Sequence, residues 1–250
     1  MKTAHVVLSL FVAVLLLTGC DLRLNGKDVQ FIEPSNTIIT EERTVSGFTG
    51  IDFSTFGKVI LTQGDTESLT ISGSDNIVPL IKTSVDGGIL RIYMEEGINI
   101  TNMTDENGLI FTITVKDLTR LNLSGAGKVT MDSLSTSNLT IDLSGAGQFV
   151  LDQLAAETLD VTVSGVGNVE ISGEVATAMI ELSGAGPVNA QDLQTKTANI
   201  TLSGIGGATL WVTDQLIGTI SGAGSVSYYG DPQVQTTTTG LGIFNALGEK

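Results

Sequence analysis

Leu139-Thr-Ile141-Asp-Leu143-Ser144-Gly145-Ala146-Gly147-Gln-Phe149-Val-Leu151 carries the pattern that decides the fold. Apolar residues stand one, three and five places before the serine, and resume two and four places after the second glycine. Alternation on both sides of the glycines predicts two short strands, each with one face turned inward. The Ser-Gly-x-Gly core of this stretch recurs. Its copies start at Ser124, Ser144, Ser164, Ser183, Ser203 and Ser221, in steps of 20, 20, 19, 20 and 18 residues. A related copy, Thr239-Gly-Leu-Gly242, follows after another 18 residues. A unit this short cannot bury an apolar face alone, so each copy must stack on its neighbours. The period predicts an all-β, single-stranded parallel β-helix, a solenoid with ~18–20-residue coils whose strands pair at ~4.8 Å. A β-propeller needs repeats of ~40 or more residues, and a sandwich would not space its motifs so evenly.

The alternation, continued through the motif, puts both glycines in phase with the inward residues and turns the serine and the third residue outward. Glycine there lets the chain turn, or lets coils approach without a side chain between them. The seven motifs hold 14 of the 30 glycines, so glycine enrichment here is mostly structural.

Upstream, Ser54-Thr-Phe-Gly57-Lys-Val59 aligns without gaps on Ser124-Gly-Ala-Gly127-Lys-Val129. Ser72-Gly-Ser74 comes 18 residues after Ser54 and reads as a drifted copy. The 52 residues from Ser72 to Ser124 allow two further rungs and an insertion. Leu90, Ile92 and Met94 alternate, as do Leu109, Phe111, Ile113 and Val115. Asp86-Gly-Gly88 is a tight-turn signal. The polar stretch 99–108 reads as a loop, and its Asp105-Glu-Asn-Gly108 lacks the ligand spacing of a calcium loop.

Alternation begins near Arg43, so the solenoid domain is set at 43–250. Residues 20–42 read as a tether. Residues 1–19 read as an export signal, with Lys2 ahead of an apolar run from Val6 to Leu17. That run ends in Leu17-Thr-Gly-Cys20, which resembles a bacterial lipobox. The resemblance implies cleavage before Cys20, a lipid on its thiol, and attachment to a membrane through that lipid.

Formal net charge is −15. Loss of Lys2 with the signal leaves 11 basic residues against 27 acidic ones, a net of −16. Such a surface repels nucleic acid. His5 is the only histidine and Cys20 the only cysteine, so processing leaves no histidine and no free thiol. An internal disulfide, a Cys/His site for zinc or copper, and a Ser-His or Cys-His nucleophile are all excluded.

Three features together resemble the head GIN domain family, described as putative auto-transporter adhesins. They are Arg43-x-Val45-x-x-Phe48-x-x-Ile51, the serial Leu-Ser-Gly-Ala-Gly copies, and Tyr228-x-Gly230-x-Pro232 before a last Gly-x-Gly. The resemblance spans about residues 43 to 246. It implies a right-handed β-helix related in shape to pectate-lyase-like folds. It also implies an exported, often lipid-anchored protein with a role in adhesion. The family offers no established catalytic residues to carry over.

Candidate sites lie on the outward columns. Five places after the second glycine stand Asp132 and Asp152, on adjacent coils. A glycosidase carboxylate pair needs ~5–9.5 Å between groups, and a calcium site needs several oxygen ligands. The column continues as Ser172 and Gln191, so no third acid joins. It ends in Trp211, Tyr229 and Leu247. Stacked aromatics there suit a sugar ring or a protein partner; a C-terminal segment folded over them as a cap is the other reading. The glycine motifs lack the third glycine and following helix of a phosphate cradle.

The reading is an exported, lipid-anchored, non-catalytic module for adhesion or envelope structure, on the periplasmic or extracellular face. Its expected partners are the membrane, a protein or glycan, and further copies of itself; no cofactor and no metal are called for. A polysaccharide lyase or hydrolase on the same fold is the alternative, supported by fold analogy alone.

Overall fold

The computed structural model describes residues 23–24, 27–28, 30–104, 106 and 108–250. The expected signal 1–19, Cys20, part of the tether, and Asp105 and Asn107 of the acidic loop lie outside them. The chain is all-β, and 17 strands join in one sheet that winds into a parallel solenoid.

The inward columns form the core. Leu139, Ile141 and Leu143 are buried, as are Leu159, Val161 and Val163 of the next coil. One column runs along the rod from Val129 through Phe149, Val169, Val188, Ala208 and Val226 to Phe244, each residue in register with the next. Each Leu, Val, Ile or Phe side chain fully buried this way contributes about 1.5–3 kcal/mol.

The glycine corner is continuous from coil to coil. The Leu123 carbonyl accepts from the N–H groups of both Ser144 and Gly145, and Ala146 donates to the Gly125 carbonyl. The Leu143 and Gly145 carbonyls do the same for Ser164, Gly165 and Val166. A Cβ on Gly145 would lie 1.9 Å from the Gly125 oxygen. On Gly165 it would lie 2.0 Å from the Gly145 oxygen. The glycines are thus required by the backbone of the neighbouring coil, along the rod axis. The serine and the third residue face outward, as the alternation predicts.

The first half departs from the repeat in a defined way. Gly57, Lys58 and Val59 pair directly with Gly127, Lys128 and Val129, so the gapless alignment is a physical register. Ser72-Gly-Ser74, however, is not a copy of the corner. Ser68–Ser74 runs antiparallel to Ile38–Arg43 and to Ile110–Val115. The Ser74 hydroxyl is buried and donates to the Ser35 carbonyl at 2.8 Å. Residues 38–42, read as tether, are therefore part of a strand of the sheet, Ile38–Arg43. Ile81–Asp86 and Ile89–Met94 form an antiparallel hairpin closed by Gly87 and Gly88, both at positive φ. These antiparallel strands close the N-terminal end of the rod, with Phe53 edge-on to Phe111 at 5.0 Å beneath them.

The other end is less closed. Val234, Thr236 and Thr238 stand in register with Leu216, Gly218 and Ile220, but all three are exposed. The Phe244 ring occupies the space beside Gly218, where a Cβ would come within 2.5 Å of it.

The corner geometry separates two neighbouring substitutions. Gly145→Val should lower stability by about 3 kcal/mol or more, because the Gly125 backbone cannot yield. Ala146→Val should change it by less than about 0.5 kcal/mol, since the side chain points to solvent. Equilibrium urea denaturation of both variants reads the difference; equal midpoints would show that the corner tolerates a side chain at Gly145.

Candidate functional site

Asp132 and Asp152 do lie on adjacent coils, bracketed by the pairs Met131–Leu151 and Ser133–Gln153. Both are exposed. Past them the simple column breaks. One residue fewer in the next coil shifts the register, and Ser172 pairs with Asp192 rather than Gln191. No group of three potential metal ligands occurs among the described residues. The pair is two solvated carboxylates on an outer face.

Trp211 and Tyr229 are in register on adjacent coils, as the spacing predicts, and both are half-buried. Leu247 does not extend the row. A bulge pairs Tyr229 with Gly248 instead, and Leu247 stays 41% exposed. Neither reading of the aromatics is complete. No segment among the described residues folds over them, but Lys250 reaches back across both rings. Its ammonium lies 5.2 Å from the Trp211 ring centre and 5.6 Å from that of Tyr229. It also donates to the Gln191 carbonyl and to Asp192 Oδ1. Cation–π contact and ion pair together hold this end of the chain against the rod.

A second site lies at the opposite end, and sequence reading did not assemble it. The coil Gly50–Gln63 has Thr55 and Phe56 where the next two coils have glycine and alanine, Gly125-Ala126 and Gly145-Ala146. The layer before it consists of Ile89–Met94 and Ile110–Val115. Between those strands the chain makes no glycine corner. Ile98–Ile100 leaves the rod and pairs instead with Gln30–Ile32. A space opens where a corner would have stacked. It is a cleft of about 690 Å³, lined by Phe56, Met94, Ile98, Ile100, Met103 and Ala126 among others. Past Phe56 and Met103 a second hollow of about 460 Å³ reaches Lys58 and Lys128.

The electrostatics of this cleft oppose those of the chain as a whole. None of the described residues lining either hollow is acidic. Lys58 and Lys128 are exposed, stand in register on adjacent coils, and form no ion pair among the described residues. Thr55, at the cleft, is 5% exposed, and its hydroxyl has no hydrogen-bond partner among the described residues. Two signals in the sequence bear on this site: the Thr55-Phe56 departure from the motif, and the polar stretch 99–108.

A family model described as putative auto-transporter adhesin, head GIN domain, matches residues 47–232. Among solved structures, a putative adhesin from Bacteroides fragilis NCTC 9343 is 29% identical and has a TM-score of 0.83; 86% of this chain and 100% of that chain are covered. A putative adhesin from Parabacteroides merdae ATCC 43184 is 19% identical, TM-score 0.68, covering 87% of this chain and 99% of its own. A putative lipid binding protein from Parabacteroides distasonis ATCC 8503 is 22% identical, TM-score 0.69, covering 87% and 100%. The last two share the fold alone. A search of curated proteins finds no match.

The Lys250 clamp can be measured. Its hydrogen bond and then its charge hold the Asp192 carboxyl below the ordinary value of 3.8, outweighing slight burial. A depressed carboxylate stabilises the fold above its unfolded pKa, and that contribution is lost as pH falls through the folded value. Lys250→Ala should raise the Asp192 midpoint toward 3.8 in a carbon-detected NMR titration. The same variant should increase acrylamide quenching of Trp211. An unmoved Asp192 midpoint would place the ammonium elsewhere in solution.

Proposed function

This chain belongs to the head GIN domain family, and on that premise we propose that it is an exported, lipid-anchored, non-catalytic surface module with an adhesin-like role. The family model carries the adhesin description, and so does the Bacteroides fragilis protein that this chain matches over that protein's whole length.

The observation that carries the reading is a row of apolar residues along the glycine corner. Val166, Ile205 and Leu241 occupy the third place of the motif and are 65%, 71% and 91% exposed. Ala185 and Ala223 fill the same place on the two coils between them. Large side chains thus project on alternate coils, roughly 10 Å apart on two strand spacings. Exposed serines flank them on one side. Single exposed apolar residues are ordinary, but a linear series on a rigid edge is a contact surface. The glycines beneath keep that edge straight.

The Cys20 lipobox supplies the anchor in this reading. Exposed, unsupported Asp132 and Asp152 favour a binding role over catalysis. The row serves attachment to a partner surface, protein or glycan, on the outer side of the membrane that holds the lipid.

Replacing Val166, Ile205 and Leu241 together by serine should reduce attachment of protein-coated beads to cell envelopes by about tenfold, the loss of roughly 1.4 kcal/mol. The thermal midpoint should stay within a few degrees, since all three are exposed. Cys20→Ala should abolish incorporation of labelled palmitate into the chain in cells. Full attachment by the triple variant, or steady turnover of an acidic polysaccharide by the native protein, would sink the reading.

A further inference from the structure

We propose that the cleft beside Thr55 is a binding site for one long-chain carboxylate, its apolar chain lying along Phe56, Met94, Ile98, Ile100 and Met103 and its head meeting Lys58 and Lys128. The site goes beyond surface attachment and stands at the other end of the rod from Trp211.

Its shape has a cause in the repeat. Everywhere from Gly125 onward, each corner glycine abuts the backbone of the preceding coil at a distance that admits no Cβ. Thr55 and Phe56 have no such corner before them, because Ile98–Ile100 pairs with Gln30–Ile32 rather than with the rod. What remains is an apolar trough walled by the Ile98–Ile100 strand, in the volume range of small-molecule sites. Met94 and Met103 give that wall adaptable side chains that conform to a flexible chain. A departure from an otherwise regular pattern is where function accumulates.

The lysines decide the chemistry of the head. Like charges in register on neighbouring strands are mildly destabilising. Lys58 and Lys128 bear this arrangement with no acid among the described cleft residues, in a chain of net charge −15. An anion between the two ammonium groups turns that repulsion into two charge-assisted hydrogen bonds. The field of the whole chain repels multivalent anions, so a head with a single charge is favoured over a phosphate ester. An apolar tail continuous with one carboxylate satisfies both halves of the site.

A chain that starts at Asp21 retains every described strand and serves for the test. Palmitate should displace a fluorescent polyene fatty acid from it with a stoichiometry of about one. Lys58→Gln with Lys128→Gln should weaken palmitate at least about tenfold. Lys196→Gln, on an exposed site elsewhere, should leave it unchanged. Met103→Glu should abolish binding with an unaltered far-ultraviolet dichroism spectrum. Hexadecyltrimethylammonium, with the same chain and opposite charge, should fail to compete. Absence of a saturable palmitate site in the folded protein overturns the proposal. So does equal binding of the cation, or indifference to the two lysines, either of which reduces the cleft to a sticky apolar face. Co-sedimentation with neutral phospholipid vesicles in place of palmitate binding would assign the trough to a membrane surface and equally overturn it.

Discussion

Backbone meets backbone at the corner of every regular coil, and the rest of the rod follows from that contact. The carbonyl oxygen of one glycine lies where the Cβ of the next would have to be, at 1.9 Å for Gly145 over Gly125 and 2.1 Å for Gly184 over Gly165. Only a residue without Cβ permits strands on both sides of the corner to keep their ladder spacing. With the spacing kept, inward columns such as Val129–Phe149–Val169 fall into register and the core closes. With it lost, the alternation would still exist but its apolar faces would not align.

The same constraint explains which parts of the fold were legible in the sequence. Between Ser124 and Gly242 both the side-chain period and the glycine spacing repeat, and the columns read from them are buried in the structure as far as Val226. Before Ser124 only one coil, Gly50–Gln63, keeps the pattern, and its partner lies 70 residues away at Ser124 rather than beside it at Ser72. Ser72-Gly-Ser74 mimics the motif but pairs antiparallel; strand direction leaves no trace in a three-residue match. Ile38–Arg43 carries three charges and its residues 38–42 read as tether, yet as an edge strand it needs only one covered face. The outward columns were legible until a coil lost a residue. The bulge after Leu151 and the one at Tyr228 move Ser172 and Leu247 out of the rows that equal spacing assigns them.

Sites were less legible than fold, because the repeat marks where side chains are forbidden rather than where a ligand would sit. Trp211 and Tyr229 were visible as rare residues in one column, but Lys250 over both rings was not, since its reach depends on the last coil's path. The cleft at Thr55 was hidden for a different reason. It is defined by a corner that is absent, and by Ile98–Ile100 pairing with Gln30–Ile32 across a long sequence separation.

The placement of the Gly50–Gln63 coil also sets an order of assembly. Its neighbours on one side come from 89–115 and on the other from 120–135. As the chain is made from its N-terminus, this coil must wait for residue 115 before one ladder can close and for residue 131, about half the sequence, before the other can, a high-contact-order event and hence a slow one. Each coil after Ser135 finds its template already formed about twenty residues earlier and can add by nearest-neighbour propagation. The rod therefore has a slow end that nucleates and a fast end that grows, and the cleft is built into the part that must be completed first.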